Sequence, residues 1–232
     1  MVSNEAIGQF ILYMVALIFS LSVHESAHAW MSNRFGDDLA RLQGRITLNP
    51  AAHVDPIGTL LFPAIAFFFH APVIGWAKPT PVNPLKWRNK NVANFWVSAA
   101  GVICNFIIAI VAGITIRILF EAGVLGFPND INAWPLTPVN NNSLIALGAA
   151  QLLQILFTLN VALGVFNLIP IPPLDGSGIL SSFLPPSFDS AMDALHRFGF
   201  IILYIALFTG VIGAIFNLVM PLAIRAVLIG RL

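Results

Sequence analysis

The sequence predicts an all-α polytopic membrane protein: a bundle of about four to six transmembrane helices carrying a re-entrant insertion and a small interfacial β element. Three observations predict it. Hydrophobic residues make up 58% of the 232 positions and charged residues only 9%, whereas soluble domains carry about 25% charged residues. Apolar runs long enough to cross about 30 Å of hydrocarbon recur along the chain. The basic residues are also segregated: seven of the eleven Lys and Arg fall between residues 31 and 90. A net charge of +1 argues against nucleic acid as a partner.

Taken in order, residues 6–30 form the first helix, with no Lys or Arg before Arg34. Lacking a basic leader region, this run does not read as a cleavable signal peptide. Residues 38–48 alternate Ala40, Leu42, Gly44, Ile46 and Leu48 with Leu39, Arg41, Gln43, Arg45 and Thr47, which predicts a strand at the interface, ended by Asn49-Pro50. Ile57–Trp76 is apolar but interrupted by Pro63, His70 and Pro72. Trp76–Pro84 holds three prolines and reads as extended chain. After Lys86, Arg88 and Lys90 a long helix runs over about 92–121, with Arg117 and Glu121 as an i,i+4 pair. Residues 123–142 form a polar loop with Asp130 and no basic residue. Another helix covers 143–167 and stops at Pro170-Ile-Pro-Pro173. A short apolar piece near Ile179–Leu184, a polar stretch over 185–197 and a last helix over 198–219, ended or kinked by Pro221, complete the chain. Residues 1–232 read as a single membrane-embedded domain, with 31–90 as an insertion between its first two core helices. The five tryptophans (30, 76, 87, 96, 134) fall near the ends of apolar runs, as an interfacial belt requires. The lone Cys104 reads as a packing residue.

The chemistry begins at His24-Glu25-Ser-Ala-His28, at the end of the first apolar run. Residues four apart share one helix face, so the two imidazoles offer half a tetrahedral zinc site with Glu25 beside them. Ionisable groups inside a membrane segment are costly and mark function by default. A catalytic zinc site takes three protein ligands and a water. Asp175 is the candidate third ligand: it follows the triple-proline break, and Gly176 permits a tight turn. A helix-capping role is the competing reading for this residue. If Asp175 and the histidines share a site, helices 6–30 and 143–167 run in the same direction and 92–121 runs against them. Residues 31–90 then begin and end on one face, so Ile57–Trp76 is a hairpin kinked at Pro63 rather than a crossing. By the positive-inside rule that face is cytoplasmic, although a single final crossing would leave Arg225 and Arg231 outside. His53 with Asp55 reads either as a gating pair near the site or as a turn-stabilising pair before Pro56.

His24-Glu25-Ser-Ala-His28 with Asn167-Leu-Ile-Pro170-Ile-Pro-Pro-Leu-Asp175-Gly176 resembles the paired signatures of the site-2 protease family of intramembrane zinc metalloproteases. Gly101-Val-Ile-Cys-Asn105 resembles that family's intermediate G-x-x-x-N element. The resemblance implies one zinc ion held by His24, His28 and Asp175, with Glu25 as general base. It places Asn167 and Pro173 on a loop that engages substrate. Asn105 is grouped with them on the substrate side, with an interhelical or metal-supporting hydrogen bond as its other reading. Gly75–Pro84 with Asn49-Pro-x-x-His53-x-Asp55 resembles a short bacterial-type branch, without the PDZ or CBS modules other members carry.

The implied activity is hydrolysis of peptide bonds within or near transmembrane segments of other membrane proteins. The partners it implies are a transmembrane substrate and the lipid bilayer of a bacterial or archaeal cell membrane. Oligomerisation is not indicated. A metal-ion transporter or channel built on the same His/Asp cluster is the alternative from another class. A scaffold with a structural zinc is disfavoured, since such sites close all four positions, often with Cys.

Overall fold

A computed structural model describes residues 3–69, 75–128, 134–139 and 143–229. Three long helices carry the molecule: α1 (Asn4–Arg34), α4 (Lys90–Glu121) and α5 (Leu144–Asn167). Each starts on a short polar side chain that accepts a backbone N–H of the first turn: Ser3 from Ala6, Asn89 from Val92 and Ser143 from Ala146. Each is apolar nearly all round, as a helix immersed in lipid must be. Close approach comes from small residues, with Ala93, Ala99, Ala100, Gly101, Ala109, Ala112 and Gly113 buried along α4. Phe157, Val161 and Ile116 pack with Ala109 and Ala112 in the largest apolar cluster. Leu159 packs with Ala16 and Leu17 between α5 and α1.

Cross-helix hydrogen bonds give the directions. His28 meets Val97 and His24 meets Asn105, so α1 and α4 are antiparallel. Both Phe106 against Gly164 and Gly113 against Phe157 require α5 to run against α4 as well. Helices α1 and α5 are therefore parallel, which is the arrangement a shared His/Asp site demands.

The 31–90 insertion returns to its starting level. Trp76 N–H donates to Gly58 O at 3.3 Å, so the apolar segment between them leaves and comes back on one side. Its helix α3 (Phe62–Phe69) has eight residues, about 12 Å of rise and too short to span. A π-helical turn over Pro56–Leu61 leads into it. Phe62 N–H bonds Ile57 O, and Pro63 has no N–H with which to continue the ordinary ladder. The hairpin reaches the depth of Phe10, whose ring stacks on Phe67 with centroids 4.4 Å apart. His70 and Pro72 lie outside the described residues, as do Asp130 and Arg231.

The strand expected over 38–48 is not there. Residues Leu39–Leu42 form a short helix, α2, closed by Gly44 at φ 67°. Arg45 N–H bonds Ala40 O at 2.9 Å and Gly44 N–H bonds Arg41 O at 3.0 Å, the paired bonds of a Schellman cap. Asp37 Oδ1 accepts Leu39 N–H at 3.1 Å. The polar-apolar alternation is real, but start and stop signals on either side of four residues outweighed it. The small β element lies elsewhere: β1 (Leu125–Gly126) pairs antiparallel with β2 (Thr137–Pro138) in the loop after α4.

Asp37, fully buried, ties the insertion together. It accepts from Ser32 Oγ at 3.0 Å and Asn83 N at 2.7 Å, and Trp87 Nε1 donates to Ser32 Oγ at 2.9 Å. Arg45, also buried, donates to the carbonyls of Ala52, Lys78 and Pro79. The His53/Asp55 alternatives resolve toward the turn: His53 Nε2 bonds Thr47 O, and Asp55 Oδ1 caps Ile57 and Gly58.

After α5, the short α6 (Asp175–Ser181) leads to α7 (Asp189–Phe208) and α8 (Val211–Val227). The single last helix expected over 198–219 is instead broken at Gly210, which adopts φ 81°. Helix α8 continues through Pro221 to Val227. Arg117, ion-paired with Glu121 at 2.5 Å, donates to Val227 O and Ile229 O. The end of α8 therefore sits by the end of α4 that is remote from His24 and His28. Among the described residues, α1, α4, α5 and the Pro186–Phe208 segment are long and apolar enough to cross a membrane.

Candidate metal centre

The His24-x-x-x-His28 pair projects from the last third of α1 toward α4, and both residues are buried. Helix α4 receives them along one stripe. Val97 O accepts from His28 Nδ1 at 2.6 Å, and Asn105 Oδ1 accepts from His24 Nδ1 at 2.7 Å. Gly101 lies between. A Cβ there would fall 2.5 Å from His24 Cε1 and from His28 Nε2, so only glycine lets the helices approach this closely.

Asp175 arrives from the other side. Leu168, Ile169 and the Pro170–Pro173 run turn the chain at the end of α5, and Asp175 opens α6. Gly176 packs against Leu168 O and Ile169 O at separations no side chain would tolerate. Helix α6 is gripped by α4: Asn94 Nδ2 lies 2.9 Å from Gly178 O, 3.0 Å from Ser181 Oγ and 3.1 Å from Ser182 Oγ. The Asp175 side chain does not cap its helix. Its Oδ2 lies 3.3 Å from His24 Nε2 and 3.4 Å from His28 Nε2, which are themselves 3.0 Å apart.

These atoms suit a cation. Both Nδ1 atoms face oxygens that only accept, so both carry their proton there, and both Nε2 atoms present lone pairs. Asp175 Oδ2 is buried without a hydrogen-bond partner. Three acceptors thus converge with no donor among them, a costly arrangement unless a positive charge sits between. Tetrahedral zinc with bonds of about 2.0–2.1 Å separates its ligand atoms by about 3.3–3.4 Å, close to the spacings found. Among the described residues this is the one cluster of three or more His, Cys, Asp or Glu that could hold a metal ion.

Glu25 sits on the adjacent position of α1 and is held by Thr80 of the extended segment. Thr80 N–H donates to Glu25 Oε2 at 2.8 Å, and Thr80 Oγ1 donates to Glu25 O at 2.9 Å. Arg45 lies within electrostatic reach: burial pushes its guanidinium below the ordinary value while the Glu25 carboxylate acts the other way. Thr80 was invisible as a partner in the sequence, because only the Pro79-Thr-Pro81 context hinted at a rigid strap.

The remaining candidates fall in two places. Asn167 Nδ2 donates to Leu163 O of its own helix at 3.0 Å, and Pro173 is exposed on the turn before Asp175. Asn105 is fully buried behind His24. It has no accessible surface, and its side chain meets His24 and Asn160. Asn94 and Ser20 are polar residues on apolar helices whose partners are visible only in three dimensions.

The sequence profile described as Peptidase family M50 matches residues 12–206. Among curated proteins, the chain is 34% identical over 201 residues to one from Bacillus subtilis (strain 168) named "Putative zinc metalloprotease YwhC", covering 87% of this chain and 81% of that one. It is 29% identical over 207 residues to the identically described Rip2 of Mycolicibacterium smegmatis, covering 88% of this chain and 69% of that one. The Mycobacterium tuberculosis (strain ATCC 25618 / H37Rv) Rip2 is 27% identical over 198 residues, covering 85% of this chain and 67% of that one. No solved structure matches. The buried His/His/Asp cluster, its fit to zinc and the extent of the profile match lead to one conclusion: the chain belongs to Peptidase family M50, the site-2 proteases.

Proposed function

We propose that this chain, acting as a single membrane-embedded domain, is an intramembrane zinc metalloendopeptidase that hydrolyses peptide bonds within or near transmembrane segments of other membrane proteins. The observation that carries the reading is the convergence of His24 and His28, on a helix apolar enough to span, with Asp175 just past the end of another such helix, and with Glu25 next to the first ligand. His24 Nε2, His28 Nε2 and Asp175 Oδ2 hold the zinc. Zinc in that position supplies a Lewis acid that polarises a carbonyl and makes water acidic enough to attack near neutral pH.

The chain's own residues do the rest. Glu25 is the general base. Thr80 N–H occupies Oε2, which leaves Oε1 to take the proton and pass it to the leaving amine. Asn167, the last residue of α5, and Pro173, on the turn that follows, are assigned to the substrate, with Asn167 as the candidate donor to the developing oxyanion. A substrate helix must unwind to expose its scissile bond, and the unwound backbone needs partners. The extended 75–84 segment, pinned to Glu25 by Thr80, supplies them. The seven basic residues of 31–90 support a site facing the cytoplasm. A metal transporter has no use for a carboxylate held beside the ligands by a strap, and no observation favours it.

Glu25→Gln decides the matter in a cleavage assay on reconstituted protein. Zinc stays bound while product formation falls by about 10²–10⁴-fold; undiminished cleavage would overturn the assignment.

A further inference from the structure

The metal cluster rests on a second polar feature, one that runs through Asn105 and beyond it to the other two core helices. A chain of hydrogen bonds crosses all three core helices behind His24, and its Ser20, Asn105 and Asn160 side chains are fully buried. It starts at a backbone carbonyl. Asn160 Nδ2 donates to Leu156 O of its own helix at 2.8 Å and to Ser20 Oγ of α1 at 2.8 Å. Since Leu156 O can only accept, the Asn160 amide has a single satisfactory orientation, with Oδ1 turned toward α4. There Asn105 Nδ2 donates to it at 2.8 Å. That bond in turn orients Asn105, whose Oδ1 is left facing His24 Nδ1 at 2.7 Å. An oxygen without a proton at this position requires the proton to sit on Nδ1, so Nε2 is the bare nitrogen.

We propose that Asn105 is a positioning residue of the metal centre: aligned by Asn160, it selects the Nδ1-protonated tautomer of His24 and aims the Nε2 lone pair at the cation. The inference rests on reading the cluster as a zinc site. His24 Nδ1 faces the fully buried Asn105, and an isolated histidine favours the other tautomer only weakly. A hydrogen bond to the distal ring nitrogen both orders the ring and raises the basicity of the ligating nitrogen. His28 gains the same service from Val97 O, a carbonyl that no side-chain replacement can remove. His24 is therefore the ligand whose tautomer depends on a side chain.

The test uses the full-length protein in detergent. Zinc is stripped with a chelator, the histidines are labelled with ¹⁵N, and resonances are assigned against His24→Gln. Zinc affinity is measured separately by competition with a chromophoric chelator. In the metal-free wild type, His24 is protonated at Nδ1. Asn105→Leu, similar in volume but without an acceptor, loses that preference and binds zinc about 10–100-fold more weakly. Asn105→Asp keeps an acceptor opposite Nδ1 and gives up the donor to Asn160. It retains the Nδ1-protonated form and binds zinc at least as well as wild type.

An Nε2-protonated His24 in the metal-free wild type would overturn the proposal, and that measurement needs no variant to fold. Equal zinc affinity in wild type and Asn105→Leu would overturn it too. So would equal weakening in the Leu and Asp variants, which would mean that Asn105 serves helix packing alone. A wild-type protein that binds no zinc overturns the metal-centre reading itself, and the proposal with it.

Discussion

Thr80 grips Glu25 twice, its N–H on the carboxylate at 2.8 Å and its hydroxyl on the backbone carbonyl at 2.9 Å. The two bonds make the extended segment a strap across the HExxH turn. A carboxylate that must accept a proton in one geometry gains from losing its rotamer freedom beforehand. The strap also brings the extended segment 75–84 up to the same carboxylate.

Removing the strap's bonds in steps should lower turnover in steps. Thr80→Val deletes the hydroxyl bond, worth about 1 kcal/mol, and reduces kcat by up to about tenfold. Thr80→Pro also removes the N–H and costs more. Zinc content, read by metal analysis of the purified protein, stays at the wild-type level in both. Loss of metal in Thr80→Val would show that the strap supports the ligands and not the base.

Gly101→Ala should abolish metal binding. Its Cβ would fall 2.5 Å from both imidazoles, and each is already held from behind, so neither ring has room to retreat. Gly113→Ala, three turns along the same helix, meets only side-chain atoms of Val227 and Phe157 at 3.0–3.3 Å and should keep its zinc. Metal stoichiometry of the two variants, prepared side by side, checks the contrast.

Asn94→Ala releases α6 from α4 and with it the third ligand. Its side-chain nitrogen is the polar tie to Gly178, Ser181 and Ser182. The two histidines remain in place, so zinc still binds but more weakly. Cobalt substitution reads this directly: the tetrahedral absorption of the wild-type site should fade in the variant and not in Asn167→Ala.

Arg45→Ala should loosen the insertion without disturbing the core helices. The guanidinium joins the 52 turn to Lys78 and Pro79, just before the strap. Its loss leaves three part-buried carbonyls without this donor and destabilises the region by about 1–2 kcal/mol. Hydrogen exchange should accelerate at residues 49–55 and 75–84 while α4 and α5 stay protected. Uniform acceleration across all helices would mean that the insertion is integral to core stability.

Much of the site was legible because its signals are local. Four-residue spacing puts His24 and His28 on one face in any helix, and an apolar run of this length is a helix in lipid for want of other hydrogen-bond partners. The parallel course of α1 and α5 followed from requiring Asp175 to reach those histidines. The 38–48 segment was misread because alternation over a few residues is weak evidence beside an Asp start and a Gly stop. The last helix was drawn unbroken because Gly210 looks like any other glycine in a membrane span until its φ is seen.

By itself, then, the amino-acid order pointed to the apolar spanning helices, their relative directions and the three side chains that converge, all of which depend on periodicity, hydropathy, chain continuity and motif. Tertiary structure alone decided which partners stand behind them: Asn105 and Val97 at the two imidazoles, Asn160 behind Asn105, Asn94 under α6, and Thr80 on Glu25. Those contacts join residues up to 84 positions apart. No spacing rule reaches that far, because it is the packing of one helix on another that selects which polar groups meet.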